Sequence, residues 1–298
     1  MKCVDIKILI LEFVILCIII LNGVDKYIDE RKNVESSYEK TIEFCKMHRN
    51  EESYQEFCEI VNNQKFIDDD IYYAYSNIGV TQLNKLNLFF FLIIAIPTLI
   101  YPCYYYKHKA IINLATRQKY KFIKNKFVIR PYISVFLFPL AALFAMVISW
   151  SITRNINPEF SLTTGAVPWN YETLTNPILS VALYFLNVII HSILYVNICL
   201  CVSRKQHNYP IAVILSTLIF IGIEIFLEVI LGGIIFGHLL NSNKTVYFNI
   251  MNFFTFNDNQ GWIWPMLIPF TCMLISLIAV YMLYKNKENL IITCEKND

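Results

Sequence analysis

Six long apolar runs decide what this chain can fold into. They lie at 7–23, 86–106, 131–152, 178–202, 210–240 and 262–284. A helix rises ~1.5 Å per residue, so runs of about 20 residues cross the ~30 Å hydrocarbon core of a bilayer. Inside hydrocarbon, each backbone N–H and C=O needs a partner within its own segment, which leaves the helix as the form for such runs. Charged residues make up only 16% of the chain, against about 25% in an ordinary soluble domain. The predicted fold is therefore an all-α integral membrane protein with six transmembrane helices. Pro131, Pro177, Pro210 and Pro265 each open a run, where the missing proline N–H would be unpaired anyway. Pro97, Pro102 and Pro139 are expected to kink the spans they occupy.

The charges are sorted along the chain. Between Lys107 and Arg130 there are eight Lys/Arg and no acid. Arg204 and Lys205 occupy the short connection at 203–209, whereas 153–177 has one Arg and 241–261 one Lys. Cytoplasmic loops retain Lys and Arg, so both termini, the 107–130 loop and 203–209 are expected on the cytoplasmic side. Residues 24–85 then lie outside, with thirteen Asp/Glu against eight Lys/Arg. Three regions follow: 1–23, a first span read as an uncleaved signal anchor; 24–85, a small extracytoplasmic helical domain; and 86–298, five spans with the basic loop 107–130. The exit of the first span, "LNGVDKY", lacks a small-x-small cleavage site.

The basic loop has a pattern beyond its charge. Residues 107–127 contain no Gly or Pro. Ile111, Leu114, Ala115 and Phe122 fit one helical face, with Ile112 and Ile123 beside it and Lys109, Arg117, Lys119, Lys121 and Lys124 interspersed. Such a basic amphipathic helix lies on anionic membrane lipid or docks in a partner's groove. The run "YYYKHKAIINLATRQKYKFIKNKFVI" resembles the segment between the second and third spans of ABC-2 type transporter permeases. Where that family often has Pro before its Ser/Thr–Arg pair, this chain has Ala115. The resemblance implies a coupling helix that docks an ABC ATPase subunit through Leu114, Thr116, Arg117, Lys119, Tyr120, Lys121 and Lys124. It also implies a second permease chain, as a homodimer or heterodimer, and ATP with Mg on the ATPase instead of any cofactor here. None of the eight glycines is followed by Lys, so the phosphate-cradling G-x-x-x-x-G-K-[ST] loop does not occur. No His-Glu-x-x-His or Gly-x-Ser-x-Gly motif occurs either. The chain is read as a non-enzyme, without a metal site or nucleic-acid partner.

Residues 26–62 carry helical spacing on either side of His48-Arg49-Asn50, which predicts a helical hairpin with Asn50 capping its second arm. Cys45 and Cys58 lie on the apolar faces of opposite arms. A disulfide and a pair of small buried residues both fit, and their unequal distances from the turn favour the second. Ionisable side chains inside spans are costly and mark function or buried interfaces. Here they are Glu12, His191, Glu224 and Glu228. The i, i+4 spacing of Glu224 and Glu228 predicts that they share a face, lining a substrate path or a permease–permease interface. The function expected from the resemblance is export of an amphipathic peptide or lipid-like substrate. The competing expectation is a membrane sensor or immunity protein that binds a peptide through 24–85.

Overall fold

The computed structural model describes residues 6–48, 54–55, 58, 78, 81–84, 87–117, 119–153, 177–240 and 263–286. The described elements are helical throughout. They are α1 (Ile6–Met47), α2 (Thr81–Asn84), α3 (Asn87–Lys107), α4 (Ala110–Arg117), α5 (Tyr120–Lys124), α6 (Leu137–Thr153), α7 (Pro177–Ser203), α8 (Tyr209–Ile225) and α9 (Ile263–Leu283). A π-helical stretch (Asn125–Ile129) and a 3-10 stretch (Arg130–Phe136) join α5 to α6, and a second π stretch (Phe226–Leu239) continues α8. Six helical segments are long and apolar enough to cross a membrane. The chain is a multi-pass membrane protein.

The fourth span, α7, is the hub. It packs against α3, α6, α8 and α9, and 72% of its apolar window is buried, against 22% in the first, fifth and sixth spans. Rings fill the space between spans two to five. Phe90 meets Phe138 at 4.8 Å, and Phe91 meets Phe220 at 5.0 Å and Tyr195 at 5.1 Å between centroids. Lipid is as apolar as leucine, so hydrogen bonds between spans add the specificity that burial alone does not give. Asn197 of α7 accepts from the Tyr132 hydroxyl and donates to the Ser276 hydroxyl at 2.8 Å. Thr98 and Ser134 pair at 2.9 Å, and Tyr195 and Thr217 at 3.0 Å.

Two expected boundaries are corrected. The first helix does not end with its apolar run: the candidate span covers Ile6–Asp29 and α1 continues as one helix to Met47. Gly23 lies inside it. A Cβ there would lie 2.5 Å from the Gln82 side chain, so the glycine lets α1 and the segment around α2 approach. Pro131 does not open the third span. It sits at the start of the 3-10 stretch, one link in a helical run from Tyr120 to Ile152. Pro177 and Pro210 do occupy the first turns of their helices.

At the far end of α1, Cys45 and Cys58 are disulfide-bonded with Cα atoms 5.4 Å apart. Tyr54 packs edge-on against Phe44 at 5.3 Å and against His48 at 5.6 Å, so the chain has reversed by that point. The pairing decides against two separate buried thiols. The expected cap at Asn50 and most of the second arm lie outside the described residues.

Candidate functional site

The basic loop is assembled from short pieces. Lys107 closes α3. Lys109 then adopts a left-handed backbone, φ 51°, and its N–H bonds the Tyr106 carbonyl at 3.1 Å. That turn swings the chain away from the span axis and starts α4 at Ala110. Ile111 and Leu114 of α4 are buried, while Arg117 is exposed.

The single helix expected over 107–127 is not formed. Lys119 is extended, φ −62° and ψ 138°, and α5 starts after it. An extended residue resets the helical phase, so Ile123 enters the core and Phe122 is 51% exposed. The docking residues implied by resemblance divide accordingly. Arg117, Lys119 and Lys121 face outward, and Leu114 anchors α4. Tyr120 donates to the Tyr284 carbonyl and Lys124 lies 5.4 Å from the Tyr281 ring centre, so both are tied to the end of the sixth span. The Thr116 side chain lies outside those described.

Behind this surface is a cluster of cations and rings. Arg204 is 3% exposed. Its guanidinium lies 5.2 Å from the Tyr284 ring centre and 5.7 Å from that of Tyr106, and it donates to the Tyr106 hydroxyl at 3.5 Å. Tyr284 in turn donates to the Leu200 carbonyl at 3.1 Å. His207 stacks on Tyr106 at 5.2 Å. Partial burial lowers its pKa; a backbone hydrogen bond with Arg204 opposes this and the Arg204 charge adds to it. Lys126 is also buried, 5.2 Å from the Tyr105 ring centre. Neither 101–130 nor 203–209 contains an acid, so ring quadrupoles supply negative potential that carboxylates elsewhere provide. The cluster ties the ends of spans two, four and six to the loop at 203–209. From the sequence, Arg204 counts only as loop charge. Its burial with the tyrosines follows from α7 standing at the centre of the bundle.

The intramembrane residues do not gather into one site. Glu12 of α1 is 8% exposed, with Oε2 unpartnered among the described residues. It lies within electrostatic reach of Tyr209 at the start of α8. Glu224 is buried fifteen positions along the same span, near Cys272 of α9. At ~1.5 Å per residue, these two acids sit at different depths. Glu228 is exposed and lies inside the π stretch, so the shared face expected for Glu224 and Glu228 is not formed. His191 is buried in α7, its Nδ1 2.8 Å from the Asn187 carbonyl. The Tyr132–Asn197–Ser276 bridge was missed because the sequence reading searched the spans for ionisable groups, not for amides and hydroxyls.

Comparison with family models, with curated proteins and with solved structures finds no match to this chain.

Proposed function

We propose that the chain is the permease subunit of an ATP-binding-cassette exporter of the ABC-2 type, moving an amphipathic peptide or lipid-like substrate. The observation that carries this reading is the construction of the basic end. Arg117, Lys119 and Lys121 stand outward on a scaffold that Lys124, Lys126 and Arg204 hold to rings of the bundle. ATP and Mg bind the separate ATPase chains, which close on each other. That closure displaces α4 and α5. The third span continues from α5 without a loop, and Tyr120 and Lys124 connect α5 to the sixth. A push on the surface therefore reaches two spans directly. This chain itself performs no catalytic step.

In this reading the basic end is cytoplasmic and the bridged end of α1 is outside, where disulfides persist. The sparsely buried first, fifth and sixth spans face lipid or the second permease chain. Glu12 lies on the first of them and Glu228 on the second. A sensor or immunity protein is the second reading. It is favoured by the Cys45–Cys58 bridge, which fixes a compact end on a helix that projects beyond the bundle.

The test is affinity capture of the tagged chain in mild detergent beside an Arg117→Glu/Lys119→Glu variant. The transport reading expects an ABC ATPase with the wild type and its loss with the variant. A folded chain that captures no ATPase in either form sinks that reading and leaves the sensor in its place.

A further inference from the structure

A cleft of about 410 Å³ opens where the second span ends and the fifth begins. Its walls include Tyr101, Tyr104, Lys107, His108, His207 and Tyr209. Lys107 and His108 are exposed, and among the described residues neither meets a carboxylate in an ion pair. The His108 ring lies 4.6 Å from that of Tyr104. Ile100 and Pro210 add apolar surface to its lining. From Pro210 the fifth span presents Ile211, Ile214 and Leu218 outward, each at least 46% exposed. A cationic mouth thus leads into an apolar flank along one continuous wall.

We infer that this cleft binds one anionic glycerophospholipid, its phosphate at Lys107 and His108 and one acyl chain along Ile211, Ile214 and Leu218. Three features select this occupant. The mouth carries positive charge and tyrosine hydroxyls at the depth where tyrosines meet headgroups. The exposed side of α8 below it is apolar, as an acyl chain requires. Among the described residues no acid lines the cleft. A lipid gains a second, apolar contact with the same wall. This site differs from general attraction of a basic loop to a charged surface, because it uses the cation beside the apolar wall and not the outward ones.

The experiment follows thermal unfolding of the purified full chain in neutral detergent with added phosphatidylglycerol, phosphatidylcholine or inorganic phosphate. Phosphatidylglycerol is expected to raise the midpoint more than phosphatidylcholine does. A Lys107→Gln/His108→Gln variant loses most of that difference, and Lys285→Gln, an exposed cation outside the cleft, keeps it. Equal loss in Lys285→Gln reduces the effect to general surface charge and overturns the site. A matching shift with inorganic phosphate makes it an anion site without a lipid. If the double variant does not fold, native mass spectrometry of Lys107→Gln alone decides. One fewer retained anionic lipid than wild type is expected, and an unchanged number overturns the inference.

Discussion

Arg204 and Arg117 are carried by the same end of the molecule and are used in opposite ways. Arg204 is buried between the rings of Tyr106 and Tyr284, whereas Arg117 stands outside on α4. Both belong to segments without acids, and a count of charges treats them alike. The difference lies in what surrounds the side chain. The loop at 203–209 directly follows the most buried span, so Arg204 near its start meets rings from neighbouring helices. The turn at Lys109 carries α4 off the span axis, so its polar side meets solvent. One positive charge consolidates the bundle and the other is left for something beyond it.

Arg204→Ala is the strongest way to break this comparison. It removes two cation–π contacts, each worth about 2 kcal/mol when desolvated, and leaves a gap among three spans. We expect a loss of about 2–4 kcal/mol, read as a large drop in the unfolding midpoint in detergent. Arg204→Lys restores part of it, since the charge returns without the planar stacking surface. A midpoint unchanged in Arg204→Ala would mean that the cluster is not what holds the basic end.

The opposite end gives the next effect. Cys45→Ser opens a bridge between residues 13 apart. A loop of that size is worth about 3 kcal/mol in the chain-entropy account. The loss should stay local, because among the described residues Cys45 and Cys58, with Ile42 and Phe44 beside them, form a small core of their own. Limited proteolysis is expected to cut residues 48–58 faster in the variant while the bundle's midpoint holds. A fall in both together would show that this end is structurally continuous with the bundle.

A smaller effect tests how His207 belongs to the buried class. Partial burial holds its pKa below the ordinary 6.5, so the folded state takes up a proton less readily than the unfolded chain. The stability this contributes is complete above 6.5 and is lost as the pH falls through the lower folded value. The unfolding midpoint of the wild type should therefore decline more on mild acidification than that of His207→Gln. Parallel profiles would place His207 with the solvated cations instead.

How much of this the sequence discloses depends on the reach of the interactions. The spans were legible because hydropathy is a local sum, and Pro177 and Pro210 mark helix starts by a local effect. The passage of α1 through Gly23 was not legible, because the contact that requires the missing side chain is with Gln82, some sixty positions away. Pro131 misled because its place inside a helical run depends on the 3-10 geometry around it. In the basic loop the amphipathic pattern was right for Ile111 and Leu114, but one extended residue at Lys119 exchanged Phe122 for Ile123. The Arg204 cluster depends on three spans meeting, which no single window contains.

The outward cations provide the sharpest form of the comparison, because they should matter least to stability. Arg117→Glu/Lys119→Glu reverses two charges on exposed side chains that make no ring contact among the described residues. Surface changes of this kind stay within about 0.5 kcal/mol, so the unfolding midpoint should remain close to wild type. On the proposed permease reading the same variant loses capture of an ABC ATPase, since reversing charge at a docking surface would oppose the partner's field. The pairing of results is what discriminates. Stability kept with capture lost separates the outward cations from Arg204 by function. Stability lost along with capture would instead make α4 part of the bundle's own packing, and the division between buried and outward charge would fail at Ile111 and Leu114, where α4 is anchored.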